Sequence, residues 1–286
     1  MTLPAKAITF IAMTAALLCS CSEHNNLAER VGVCNRSSVE ATVQAGANYI
    51  ELGVSSCLVP DKADSAWNIQ YEALKDLPLP TPTANGFFPS YYRLVGPDAD
   101  ESVNLEYVET AMQRGSMLGL KLFVLGSGGA RNIPEGFDRN EAVKQFVSLC
   151  KGIALLGEKY GIDVAIEPLR PKETNFINSV KEGMEIVKAV DNPHLGVLAD
   201  FFHMAEVNED PQEIVNAGRN LLHCHIAEKG PRTAPGVNGD DFTPYLKALK
   251  AIKYQGRLSL ECGWGKYDEE VAAAIAETRR QINLVF

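Results

Sequence analysis

Four residues with metal-binding side chains each close a short apolar run. Glu167 follows Val164-Ala-Ile166, Asp200 follows Leu195-Gly-Val-Leu-Ala199, His225 ends Leu221-Leu-His-Cys-His225, and Glu261 follows Arg257-Leu-Ser-Leu260. Three carboxylates and one imidazole make a hard, oxygen-rich donor set. It suits one divalent cation, Mn²⁺ or Mg²⁺, with Co²⁺ or Zn²⁺ as the other candidates. A cation so held acts as a Lewis acid on a carbonyl, and carboxylates beside it can take and return the proton of the neighbouring carbon. Taken singly, each residue has a plainer reading. Glu167 and Glu261 would be charges at a loop edge and Asp200 the N-cap of a following helix. His225, on one strand face with His223, would be a hydrogen-bonded core histidine. Four such coincidences in series favour the metal.

The spacing indicates what must position them. The gaps between the four are 33, 25 and 36 residues, and one strand-helix unit of a (β/α)8 barrel takes about 30, roughly 250 for the whole barrel. The runs read as strands buried on both faces, as a parallel sheet demands. Pro168 cannot donate to a ladder, so the first of them stops at Glu167. In such barrels the chemistry sits at the C-terminal strand ends, which would aim four consecutive units at one spot.

The rest of the chain alternates in the same way. Strands are expected at Val31 to Cys34, Tyr49 to Val54 (with an acid, Glu51, inside it), Tyr91 to Leu94 and Lys121 to Leu125. Helices are expected near 38, over 65–75, 101–118, 140–160, 179–190, 211–217, 242–252 and 268–285. Residues 60–89 carry five prolines and read as a long irregular loop around the second helix. Gly161 stands where a helix C-terminus favours a left-handed residue.

The N-terminus reads as an address. One lysine, twelve mostly apolar residues and Leu18-Cys-Ser-Cys21 resemble a bacterial lipoprotein signal over 1–20, with Cys21 lipidated. The expected layout is therefore a signal over 1–20, a polar tether over 21–29 and a single barrel domain over 30–286. This places the protein on the cell envelope, held to the membrane through the lipid alone, because twelve residues do not span a bilayer. The chain carries a formal charge of −9 and a pI near 5.2, which argues against a nucleic-acid partner. Five cysteines remain beyond the signal and show no framework, so they read as small buried residues. Cys34 with Cys57 is the one pairing to test. A homo-oligomer is left open.

Ile166-Glu-Pro-Leu169, Asp200-Phe-Phe-His203, His225-Ile-Ala-Glu228 and Leu258-Ser-Leu-Glu-Cys262 resemble the xylose isomerase-like TIM-barrel superfamily, the sugar phosphate isomerase/epimerase group. Within it they are most similar to ketose 3-epimerases of the tagatose and psicose type. The resemblance implies one Mn²⁺-like ion on Glu167, Asp200, His225 and Glu261, with the two glutamates as acid and base. It further implies that Glu173, His203 and Arg232 touch substrate hydroxyls, Arg232 standing one position off the family arginine. Gly126-Ser-Gly-Gly-Ala-Arg131 lacks a phosphate-loop lysine. Its amides and Arg131 would line the substrate end, or the glycines simply serve a tight turn. Trp67, Phe87, Phe88 and Trp264 would wall the site or pack. The implied activity is isomerisation or epimerisation of a sugar or polyol ketone through an enediolate. The rivals are a dehydratase resembling inosose dehydratase and a sugar-binding lipoprotein without catalysis. An endonuclease IV-like enzyme would need three zinc ions and more histidines.

Overall fold

The computed structural model describes residues 26–34 and 38–286. The expected signal, with Cys21, lies outside them. Eight parallel strands close a barrel in chain order, β1 pairing with both β2 and β8. They are β1 Val31–Val33, β2 Tyr49–Gly53, β3 Thr83–Asn85, β4 Leu122–Leu125, β5 Asp163–Ile166, β6 Leu195–Asp200, β7 Leu221–Ile226 and β8 Arg257–Leu260. The helices are α1 Val39–Gln44, α2 Asp64–Leu74, α3 Glu101–Met117, α4 Gly128–Arg131, α5 Arg139–Tyr160, α6 Val180–Val190, α7 Phe201–Glu206, α8 Gln212–Ala217, α9 Thr243–Ala251 and α10 Tyr267–Val285. The expected (β/α)8 fold is borne out, and most boundaries fall within a residue or two of the sequence reading.

Local chemistry explains the helix ends. Asp100, Asp138 and Ser179 cap α3, α5 and α6 by accepting from the backbone N–H three residues on. Gly161 ends α5 at φ 66. Strand side chains alternate, so Phe123, Leu125, Val164, Ile166, Val197 and Ala199 join the outer core under the helices. Leu122, Val124, Ala165 and Leu198 form a separate apolar plug inside the barrel. Glu167, Asp200 and Glu261 continue the inward-facing set of their strands, which delivers them to the mouth.

Two expectations are corrected. The third strand is not Tyr91 to Leu94 but Thr83–Asn85. Pro80 and Pro82 cannot donate, yet their carbonyls accept from Ile50 N–H (3.0 Å) and Lys121 N–H (2.8 Å). The proline-rich segment therefore pairs on both sides and yields only three residues of regular strand. Tyr91 to Leu94 instead belong to a turn, Tyr92 N–H reaching Pro89 O. The tether expected over 21–29 also does not extend over residues 27 and 28. Leu27 and Ala28 are buried in a 3₁₀ turn, and Arg279 Nε holds the Ala28 carbonyl at 3.0 Å. Cys34 and Cys57 are free thiols.

Candidate active site

Each of the four strand-end residues arrives where its sequence position put it. Glu167 follows β5 directly and its N–H still bonds Leu125 O at 3.1 Å, so the side chain leaves from the ladder's last rung. Asp200 ends β6, pairs in register with His225 of β7, and caps α7 through Phe202 N–H at 2.8 Å. Its Oδ1 thus fills the ordinary capping role, while Oδ2 faces the cluster and accepts from Arg232. Glu261 follows β8 and is pinned by Ile226 O at 3.2 Å. One donor atom from each of Glu167, Asp200, His225 and Glu261 lies within 4.8 Å of all the others.

His225 links the set. Its Nδ1 is 3.1 Å from Glu167 Oε1 and 3.0 Å from Glu261 Oε2, while Nε2 sits 3.0 Å from Glu51 Oε1. Glu51, on β2, is itself anchored by Thr83 Oγ1, Ser259 Oγ and His223 Nε2. A carboxylate on the far ring nitrogen fixes the imidazole's orientation and turns Nδ1 to the cluster. The donor set therefore fits a divalent ion in composition, in mutual distance and in second support. Three acids around one point, with few cations among them, also leave negative charge for such an ion to neutralise.

The electrostatics separate the two glutamates. Burial, and then the neighbouring Glu261 charge, push the Glu167 carboxyl above its ordinary range. Burial would raise Glu261 too, but the His225 and Arg232 charges overcome it and hold that carboxyl down at about 2. Burial likewise works to lower His225, yet Glu261 and Glu51 outweigh it and raise the imidazole well above its usual value. Two carboxylates with opposed proton affinities in one cleft are the arrangement that acid and base roles require.

The remaining candidates divide. Arg232 reaches in from the loop after β7, donating to Asp200 Oδ2 at 2.7 Å and to Glu261 Oε2, its guanidinium over the Phe202 ring. His203 Nδ1 accepts from Arg170 N–H at 3.3 Å, which assigns the ring proton to Nε2. That Nε2 is buried without a hydrogen-bond partner among the described residues, 3.6 Å from Asp200 Oδ2 and 4.0 Å from Glu173 Oε2. Glu173 is held by Arg170 Nε at 2.8 Å. Glu173, His203 and Arg232 thus stand beside the cluster.

Arg131 does not. It is wholly buried and donates to the carbonyls of Phe176, Leu125, Glu167 and Ile177 at 2.8–3.2 Å, so it braces the backbone beneath Glu167 instead of lining the substrate end. Trp67 packs under Arg114, and Phe87 and Phe88 are buried against Tyr107. Trp264 is half-buried in the loop after Glu261, edge-on to Tyr267.

Three site residues had no role in the sequence reading. Glu51 was visible only as an acid inside an apolar strand, the mark of a buried and partnered carboxylate. Asn85 holds Glu261 Oε1 at 2.8 Å from the end of β3, and was lost with that strand. Arg170, bonded to Glu173 and Glu206, carried no local signal.

A closed parallel barrel with its polar cluster at the strand ends is the architecture of one large group, and the chain belongs to it: the family model for the xylose isomerase-like TIM barrel matches residues 39–282. A probable ketose 3-epimerase of Synechocystis sp. is 28% identical over 175 residues, 59% of this chain and 59% of that protein. A D-psicose 3-epimerase of Ruminiclostridium cellulolyticum is 32% identical over 126 residues, 43% of this chain and 42% of that protein. The matched segment spans about half the length of these relatives. The solved D-psicose 3-epimerase with D-tagatose from Clostridium cellulolyticum H10 superposes with a TM-score of 0.74 at 22% identity, covering 88% of this chain and 99% of that one, and shares the fold.

Proposed function

We propose that this protein is a divalent-metal-dependent sugar epimerase or isomerase that moves a proton on the carbon beside a ketone. The observation that carries the reading is the convergence of Glu167, Asp200, His225 and Glu261 within 4.8 Å, with the two glutamates driven apart in proton affinity. The ketose 3-epimerases among its relatives support a small sugar ketone as substrate class.

Glu167, Asp200, His225 and Glu261 would hold the ion, with Mn²⁺ as the proposed metal. When bound, it supplies Lewis-acid stabilisation of the negative charge that develops on the ketone oxygen as the enediolate forms. Glu167 and Glu261 reach the cleft from β5 and β8, on different sides of the barrel mouth. One removes the carbon-bound proton and the other returns it. His203 offers an Nε2–H with no hydrogen-bond partner among the described residues, so a substrate hydroxyl gains a hydrogen bond there at no cost to an existing one. Arg232 and Glu173 flank that donor and orient further hydroxyls. Asn85 and Arg232 keep opposite oxygens of Glu261 in place.

The test is NMR of a ketose panel with Mn²⁺-loaded protein in D₂O. Deuterium should enter at one carbon with no change in heavy-atom composition, and Glu261→Gln should abolish it while leaving the fold intact. Loss of water from the substrate would make the enzyme a lyase. Binding without exchange in any ketose would leave only a carrier.

A further inference from the structure

The fourth residue of His225-Ile-Ala-Glu228 has no part in the chemistry above, yet its buried carboxylate accepts five hydrogen bonds. Glu228 is fully buried, and no Lys or Arg among the described residues forms an ion pair with it. Its Oε1 accepts from Gly236 N–H (2.8 Å), Gly239 N–H (2.9 Å) and Asp240 N–H (3.3 Å), and its Oε2 from Asn238 N–H (2.6 Å) and Thr233 Oγ1 (3.0 Å). Three successive amides, 238 to 240, with Gly239 at φ 79 and Gly236 at φ 97, form an anion-binding nest. Here the anion is the chain's own side chain. Its backbone N–H closes the same loop from the start, onto Thr233 O at 2.9 Å.

We infer that Glu228 is a positioning residue: its carboxylate gathers the loop 229–241 and thereby sets the Arg232 guanidinium against Asp200 and Glu261. The geometry between the two ends is tight. Arg232 lies inside the turn closed by the Glu228 N–H to Thr233 O bond, one residue before Thr233, whose Oγ1 the carboxylate holds; it adopts a left-handed φ of 60, and its carbonyl accepts from Gly263 N–H at 2.7 Å. A non-glycine residue keeps that conformation only where its surroundings over-determine it. The nest on one side and the β8 loop on the other supply that constraint. A neutral amide at 228 would turn an NH₂ group toward N–H donors and release the loop.

What Arg232 does for substrate rests on the proposed function, whereas the clamp itself does not. The experiment therefore has two arms on the full-length chain. Hydrogen exchange of the 229–241 segment should be faster in Glu228→Gln than in wild type, with the barrel strands unchanged. Mn²⁺ affinity by calorimetry, and kcat/KM on the ketose panel, are then compared for Glu228→Gln, Arg232→Ala and the double variant. Glu228→Gln should cost about 10- to 100-fold, as partners of metal-binding side chains do. The loss should fall more on KM than on kcat, and the double variant should be no worse than Arg232→Ala alone, because the first change acts through the second. Unchanged loop exchange, or losses that simply add, would overturn the assignment. If the wild type exchanges no ketose proton, the proposed function fails while exchange and Mn²⁺ affinity still decide the clamp. Should Glu228→Gln not fold, Gly239→Ala strains the same nest at its positive φ without touching the carboxylate, and the same comparisons apply.

Discussion

Gly126 offers the sharpest test of the site's geometry. It is the first residue after β4, its backbone lies outside the left-handed region, and alanine can therefore adopt it. A methyl group there would sit 2.3 Å from Glu167 Oε2, against the 3.4 Å at which ordinary contact begins, so the carboxylate must retreat by about 1 Å. It cannot retreat freely. Its other oxygen faces His225 Nδ1 at 3.1 Å, its N–H is bonded to Leu125 O, and its carbonyl is held by Arg131 at 2.8 Å. Misplacing a reacting group by about 1 Å costs on the order of 10²-fold in rate, or about 2.7 kcal/mol in barrier height. Crowding of this kind destabilises by about 1–3 kcal/mol, which a domain with about 5–15 kcal/mol in hand survives. Gly126→Ala should thus stay folded by circular dichroism, lose about 100-fold in kcat/KM for deuterium exchange, and bind Mn²⁺ more weakly. A folded variant within about threefold of wild type in both quantities would show that Glu167 is not held where the reaction needs it.

Two further outcomes follow from the same contacts. Arg131→Met removes four bonds to buried carbonyls, of which Leu125 O and Ile177 O still accept from Glu167 N–H and Leu169 N–H; at about 1 kcal/mol per bond lost, Tm should fall by about 8 °C. A shift under about 2 °C would mean that these bonds are not made in solution. Chelation should abolish activity and Mn²⁺ restore it, and binding should release protons. His225 is raised by Glu261 and Glu51, so its ring is protonated below that elevated value and must lose the proton to bind a metal. Affinity should therefore climb as pH rises through it, by up to about tenfold per unit, and level off above. Calorimetry in buffers of different ionisation enthalpy reads the released proton, and a pH-independent Kd would contradict the assignment.

Much of the scaffold was legible because its signals are local. Apolar runs ending in Glu167, Asp200, His225 and Glu261 announce a strand and its strand-end polar group together, and caps such as Asp138 and Ser179 mark helix starts directly. Failures occur where the determining partner is far along the chain. Thr83–Asn85 is a strand because the carbonyls of Pro80 and Pro82 accept from β2 and from the residue before β4, which no local pattern announces. Arg131 looked like a ligand-binding arginine in a glycine-rich turn. Only the return of Phe176 and Ile177 over it, some 45 residues later, turns it into a buried brace. Glu51 and Asn85 were likewise assigned no role, since the partners that tie them to the site, His223 and His225 for Glu51 and Glu261 for Asn85, lie more than 170 residues away.

The barrel interior shows why the site sits on these particular strands. On the side of β4, β5 and β6 it is filled by Leu122, Val124, Ala165 and Leu198, with Leu222 against them. On the opposite side Tyr49, Glu51, Thr83, His223 and Ser259 fill it with a connected hydrogen-bond network. A half-satisfied network of that kind would be worse than an apolar core, and Glu51 avoids the penalty by accepting from four side chains. An all-aliphatic interior would be the safer choice for stability. What the polar half adds is direction: it holds His225 from behind and turns its other ring nitrogen to Glu167 and Glu261. The apolar half does the converse for Glu167 and Asp200, leaving their carboxylates no polar partner below and only the mouth above. The inward-facing residues of eight strands thus divide into those that orient the four strand-end side chains and those that push them upward, and the proposed cation site lies where the two halves meet.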